Sequence, residues 1–405
     1  MIGFLAFAFA VIGLIHLYLW KRLVRDTTRP GRWRRAGSVA AAVLAVLVPT
    51  TLIGTRAGHW WLAWPGYLWL AVMFYLIVVL VALEIPMLVA KLWLRHRRRA
   101  AAAAVPHAPE PALVGAAGPA VETPAGEVPL DHSPDRRLLL ARGVAIFAGL
   151  TAAGISGYGI RTALGPPQLD RVAIPIARLP RTMDGLRIAL VSDIHLGPMR
   201  GLSHTERIVN MINNMDADIV AVVGDMVDGT VEELGSAAAP LQRLRSRYGA
   251  YFVTGNHEYF TEYQEWVDEV ARLGLRPLRN ERLEIEGLDL AGVNDIAGRE
   301  FDDGPDFAKT FDGRDPNRPT VLLAHQPVQA VDAAKYGVDL QLSGHTHGGQ
   351  MVPWSVLVRL EQPIVSGLGT VDGTKVYVTN GAGFWGPPVR VGAPPQVTLV
   401  ELNSQ

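Results

Sequence analysis

Residues 186–197 read LRIALVSDIHLG. The run LRIALVS (186–192) is short, apolar and rich in branched side chains, which suits a buried strand. It stops at Asp193-Ile194-His195, two metal-ligating side-chain types one residue apart. The same arrangement recurs downstream. DIVAVV (218–223) leads into Gly224-Asp225-Met226-Val227-Asp228, and 250–254 leads into Gly255-Asn256-His257-Glu258. A third run, 320–324, leads into His325; a fourth, 340–342, leads into Gly344-His345-Thr346-His347-Gly348-Gly349-Gln350. Between these runs, 205–215 places Ile208, Met211, Ile212 and Met215 at helical spacing. Residues 231–245 and 263–273 also read as helices, and 376–379 as a further strand. Strands alternating with helices predict an α/β domain over 165–405. Loops at the carboxyl ends of strands are where such sheets build their sites.

Histidine placement points the same way. The predicted domain has six histidines, and all but His204 fall in these segments. Imidazole with carboxylate suits zinc, iron or manganese. The chain has no cysteine, which excludes disulfide frameworks, thiolate zinc sites, iron–sulfur clusters and thiol nucleophiles. So many oxygen and nitrogen donors exceed what one ion takes and fit a pair. Paired ions ~3.5–4 Å apart can clamp the attacking and leaving oxygens of a phosphoryl transfer and acidify a bridging water.

The ordered set D-x-H, G-D-x-x-D, G-N-H-E, H and G-H-T-H resembles the calcineurin-like metallophosphoesterase superfamily over roughly 185–400. The resemblance implies two packed β-sheets flanked by helices, and two divalent ions (Mn, Fe or Zn). It implies that Asp193, His195 and His347 bind one ion, that Asn256, His325 and His345 bind the other, and that Asp225 bridges them. It assigns catalysis to His257, which protonates the leaving group or stabilises its charge, and to Asp228, which orients His257. A metal-bridging hydroxide would be the nucleophile. GHTHGGQ, the Arg136-Arg137-Leu-Leu-Leu leader and NGAGFWGPPVRVGAPP (380–395) are similar to a narrower branch of membrane-attached or twin-arginine-exported members.

The N-terminal part reads differently. Residues 2–20, 36–55 and 57–83 contain no charged side chain, and each is long enough to cross ~30 Å of hydrocarbon. Trp60, Trp61 and Trp64 suit an interfacial belt. We therefore expect three transmembrane helices over 1–95 and an Ala/Pro-rich linker over 96–135. Residues 136–164 would form a twin-arginine-like fourth transmembrane or export segment. Residues 1–161 hold 17 Lys/Arg against 7 Asp/Glu, and residues 162–405 hold 21 against 31. The basic surplus lies outside the predicted catalytic domain, so nucleic acid is not an expected partner. Seven basic residues in 21–35 and eight in 91–142 mark those loops as cytoplasmic. A fourth crossing then puts the catalytic domain outside the cytoplasm, with the chain multi-pass in the cell membrane.

These readings converge on a membrane-anchored phosphoester hydrolase with a binuclear centre, leaning towards phosphodiesters by resemblance. An alternative is a pyrophosphatase acting on a nucleotide-linked or other lipid in envelope synthesis; a third is a non-catalytic metal-binding scaffold. Glu258 and Gln350 are expected in structural hydrogen bonds. His204 is expected to face solvent, Arg200 to be a surface arginine, and Phe384-Trp385 to pack in the core, cover the site or touch lipid.

Overall fold

The computed structural model describes residues 2–103 and 134–404. Its contacts divide the chain into two units, Met1–Ile53 with Val72–Ile155, and Gly54–Ala71 with Ser156–Gln405.

The helices are α1 (Ile2–Trp20), α2 (Arg32–Arg56), α3 (Ala63–Ala103) and α4 (Pro134–Leu164). Of the predicted linker, residues 96–103 are the end of α3 and 134–135 the start of α4; the rest lies outside the described residues. Among the described residues, three helical stretches are long and apolar enough to cross a membrane: Arg32–Arg56, Trp60–Val89 and Arg137–Leu164. On α2, Val39, Val43, Val46 and Ile53 are exposed at helical spacing. An apolar stripe turned outward is what lipid would cover and water would not. Glu84, the acidic residue inside α3, is matched within its unit: Arg22 Nε lies 3.0 Å away and the Tyr18 hydroxyl donates to it at 3.2 Å.

The second unit holds two six-stranded sheets. The first is ordered β1 (Gln168–Ile176), β12 (Gln396–Ser404), β2 (Leu186–Val191), β3 (Ile219–Val223), β4 (Ala250–Val253), β5 (Arg276–Pro277). The second is ordered β10 (Gly367–Val371), β11 (Thr374–Val378), β9 (Leu340–Ser343), β8 (Thr320–Leu323), β7 (Leu288–Gly292), β6 (Glu281–Ile285). Strands β2 to β5 run parallel, as do β7, β8, β9 and β11. Parallel strands covered on both faces read as continuous apolar runs, which is why LRIALV and IVAVV look as they do.

Alternation assigns each face. Ile188, Leu190, Ile219, Ala221 and Val253 meet Leu290, Val321, Leu323 and Leu342 between the sheets. Ala189, Val191, Val220 and Val222 point the other way, onto α5 (Leu202–Asn213), α6 (Val231–Ala238) and, through Trp266 and Val270, α8 (Tyr263–Arg272). The second sheet is covered in turn by α9 (Phe307–Phe311) and α10 (Ala330–Lys335). Two sheets flanked by helices is the architecture the resemblance implied. The helix predicted over 231–245 is shorter, because α6 gives way to a 3-10 turn at Ala239–Arg243 with Pro240 near its start. Two short helices, α7 (Asn256–Tyr259) and α11 (Ser355–Val358), lie in loops.

His204 does not face solvent. It is buried on α5, its Nε2 has no hydrogen-bond partner, and burial, with Arg200 and Arg207 nearby, pushes its imidazole down to about 3. As pH falls, the unfolded chain protonates this histidine below its ordinary value, while the folded chain resists until about 3. Stability is therefore lost across that window, by at most ~1.4 kcal/mol per pH unit. Replacing His204→Leu should shrink the drop in thermal midpoint of the full chain between about pH 7.5 and about pH 5. An equal drop in both chains would remove His204 as its source.

Candidate metal centre

The segments after β2, β3, β4, β8 and β9 meet at one rim, where the carboxyl ends of both sheets converge. Asp193 and His195 follow β2, Asp225 follows β3, and Asn256 and His257 open α7 after β4. His325 follows β8, and His345 and His347 follow β9. The turns are tight enough that five of these, Asp193, His195, Asp225, His345 and His347, hold left-handed φ between 47° and 71°. Such a conformation costs a non-glycine residue on the order of 1–3 kcal/mol and persists where the surroundings fix it.

Donor atoms gather in three overlapping groups, each with its atoms within 4.8 Å of one another: Asp193, His195 and His347; His195, Asp225 and His257; Asp225, His325 and His345. Asn256 joins the last group, with its Oδ1 2.9 Å from His345 Nδ1. All seven predicted ligands are thus brought together, and Asp225 is shared between groups.

Hydrogen bonds on the far side of two rings decide what these atoms can do. His195 Nδ1 lies 2.8 Å from Asp228 Oδ1, and His325 Nδ1 lies 2.9 Å from the Val223 carbonyl. Each oxygen accepts a hydrogen bond from that nitrogen, which turns Nε2 inward and makes it the ring's ligating atom once it has no proton. His195 Nε2 then faces His347 Nε2 at 3.0 Å, and His325 Nε2 faces Asp225 Oδ2 at 3.1 Å. The second approach is close but not aligned as a hydrogen bond, so His325 Nε2 is a buried atom without such a partner. Lone pairs ~3 Å apart are the spacing of neighbouring ligands on one ion at ~2.0–2.2 Å. The donor set therefore fits a divalent cation in each half.

The electrostatics agree. Burial alone would lower His325, yet Asp225, Asp193 and Asp295 raise it well above the ordinary histidine range. The pocket thus calls for positive charge at that point. Burial and the neighbouring His325 push His345 down to about 3, so its ring is neutral and free to ligate. His257 stands at the edge, its Nδ1 2.7 Å from Asp228 Oδ1 and its Nε2 4.0 Å from Asp225 Oδ2. Burial pulls it down, but Asp225 and Asp228 outweigh that and push it up to about 9. Asp228, opposed by burial but held by His195 and His257, sits below the usual carboxylate range. Its carboxylate serves two rings, where the sequence suggested one.

Residues 186–349 match the family model described as calcineurin-like phosphoesterase. An uncharacterized metallophosphoesterase of Helicobacter pylori (strain J99) is 36% identical over 276 residues, 67% of this chain and 74% of that protein. The chain belongs to the calcineurin-like phosphoesterases. A second relative, an uncharacterized metallophosphoesterase of Aquifex aeolicus, is 32% identical over 59% of this chain and 92% of its own length. A "transmembrane protein with metallophosphoesterase domain" of Danio rerio is 38% identical over 64% of this chain. The match spans 62% of that protein, less than two thirds of its length.

Three supports of this phosphoesterase centre were less legible. Glu258 is fully buried, and its carboxylate accepts the backbone N–H groups of Asp225 (3.0 Å), Met226 (2.7 Å) and Gly255 (2.7 Å), the structural role expected of it. Arg200 is not a surface arginine. It is buried, its guanidinium donates to the His195 carbonyl at 2.9 and 3.1 Å, and it lies 3.4 Å over the Phe384 ring. Arg390, which the sequence did not single out, is fully buried among the carbonyls of His347 (2.6 Å), Asn380 (2.7 Å) and Gly383 (2.5 Å). Backbone acceptors leave no mark in a sequence, and the one available signal was an arginine inside an apolar Gly/Pro loop.

Asp225→Asn should lower metal content in both halves, read by elemental analysis of the purified full chain. Gly255→Ala should do the same, because a Cβ there runs into Asp225 Oδ1. A stoichiometry unchanged in both variants would contradict the bridging position.

Proposed function

We propose that this chain is a membrane-anchored, metal-dependent phosphoester hydrolase. The observation that carries the reading is the chain of three overlapping donor groups, two of which share Asp225, with His257 in the middle one. Two bound divalent ions would supply Lewis-acid polarisation of the phosphoryl group and lower the pKa of the attacking water. Asp193, His195 and His347 would hold one ion, and Asn256, His325 and His345 the other, with Asp225 between them.

The chain's own residues supply the rest. Asp228 accepts from His257 Nδ1 and fixes the ring, and together with Asp225 it keeps the ring an imidazolium, so that Nε2 carries a second proton towards the cleft. As water oxygen bonds to phosphorus and the ester P–O bond breaks, His257 Nε2 gives that proton to the departing alcohol oxygen. Glu258 and Arg200 position the backbone of Asp225 and His195. The binuclear arrangement serves monoesters and diesters alike; the diester preference comes from family resemblance. A lipid-linked phosphate or pyrophosphate is supported by one feature, the exposed rings of Phe260 and Trp385 set 5.3 and 6.0 Å from the His257 ring.

Three spans and the basic loops before α4 support a multi-pass chain in the cell membrane with the phosphoesterase unit on the extracytoplasmic side. Reporter fusions after Leu164 test the side directly. An alkaline phosphatase fusion should be active, and an inactive one would reverse it.

Hydrolysis of bis-p-nitrophenyl phosphate and p-nitrophenyl phosphate by the purified full chain, metal-stripped and then restored with manganese, iron or zinc, tests the chemistry. Restored chain should cleave at least one ester, and His257→Ala should lose about 10²–10⁴-fold in turnover while keeping its metals. Loss of metal together with turnover would mean that His257 is a ligand, not the acid.

A further inference from the structure

Residues 351–362 carry apolar surface that neither the core nor the metal centre uses. Val352, Val356, Leu357 and Leu360 are all exposed, Val356 at 64% and Leu360 at 83%, and Trp354 is half exposed beside them. The short helix α11 presents this run, with Arg359 exposed among it. Contiguous apolar patches rimmed by polar groups are rare on a soluble surface unless something covers them.

The identity of the cover comes from what the segment is attached to. The Val352 N–H donates to the Val391 carbonyl at 3.1 Å. One residue before Val391, the Arg390 N–H donates to the carbonyl of Gly159 at 3.0 Å. Gly159 lies in the part of α4 that belongs to the phosphoesterase unit, at the end of the candidate span Arg137–Leu164. The approach is close, since a Cβ on Gly159 would strike the side chains of Val389 and Val391. The patch is thus two short hydrogen-bonded steps from the end of a helix suited to hydrocarbon.

A second attachment agrees. Residues 54–71, which join the candidate spans of α2 and α3, also belong to this unit. There Trp60 packs against the core while Trp61 and Trp64 stay exposed. Tryptophan with branched aliphatics and an arginine is the composition of a segment lying in a membrane interface.

On these grounds, and resting on the membrane-spanning reading of α4, we propose that residues 352–360 insert into the bilayer interface as a second, monotopic contact. The partner is the lipid bilayer. Its consequence for the site runs through Gln350, whose side chain holds the Trp385 backbone at 2.9 and 3.0 Å. Trp385 in turn stands beside His257. The inserted segment would hold the rim of the metal centre at headgroup level, where a phosphate attached to lipid lies.

Because the chain has no cysteine, single cysteines can be labelled with an environment-sensitive NBD fluorophore in the full chain reconstituted into phosphatidylcholine vesicles. The positions are Leu360→Cys, Val356→Cys, Leu150→Cys on α4, and Asn317→Cys in the loop before β8, at the end of the strands opposite the metal centre. With spin-labelled lipid, Leu360 and Val356 labels should lose about half their emission, as expected for a segment ~5–10 Å into the interface. The Leu150 label should be quenched as well, and the Asn317 label only by aqueous iodide. Quenching of the Leu360 and Val356 labels by iodide but not by lipid, with Leu150 still lipid-quenched, overturns the insertion alone. Shielding of both from either quencher means that protein covers the patch, which also overturns it. A Leu150 label silent to lipid sinks the spanning reading and the insertion with it.

Discussion

Asp225 carries negative charge into an interior where an unpaired carboxylate would cost several kcal/mol, and the rest of the centre is arranged to keep it charged. Its Oδ1 accepts the backbone N–H of His257 at 2.9 Å, and its Oδ2 faces His325 Nε2 at 3.1 Å. Opposing burial, His325, His257 and His195 hold it well below the usual carboxylate range. Glu258 grips the backbone beneath it from a helix begun by the next segment of chain. Remove that charge and three imidazoles lose the group they are oriented towards. Two of the three donor groups share this one side chain.

Holding such a cluster requires backbone that most sequences avoid. Five of the predicted ligands sit at left-handed φ, and the strain is maintained by a rigid frame of buried strands on either side. Arg390 and Arg200 stiffen that frame differently. Each threads a guanidinium between loops distant in sequence and donates to the carbonyls of their tight turns. Burial pushes both down to about 9, against the pull of nearby carboxylates, so each stays charged at neutral pH. Hydrophobic packing fixes where the strands end, and charged hydrogen bonds fix the path of the loops afterwards.

Much of this was written plainly. LRIALVS and DIVAVV could only be buried strands, and each was followed at once by ligand-type side chains, so fold class and site appeared together. Among the strands that the sequence reading did not mark, two have weak patterns. Gln168–Ile176 carries Pro175 and opens with four exposed residues, and three of the five residues of Gly367–Val371 are glycine or threonine. Arg200 and His204 read as surface residues because what buries them, Phe384 and its loop, lies some 180 residues onward in the chain. Arg390 could not be found because its partners are carbonyls, which every residue has. Left-handed backbone at Asp193 and His195 was equally hidden, since neither is the glycine that usually announces it.

Strand β12 occupies a place in the sheet that its position in the chain does not suggest. It lies between β1 and β2, parallel to one and antiparallel to the other, so residues 396–404 fill a gap flanked by residues from the start of the unit. Until they arrive, the edge of β2 over Leu186–Leu190 has no strand to pair with. At ~5–20 residues per second of synthesis, that edge stays open for about 10–40 s after β2 emerges. The sheet beneath the donor cluster is therefore completed only after every donor residue has been made.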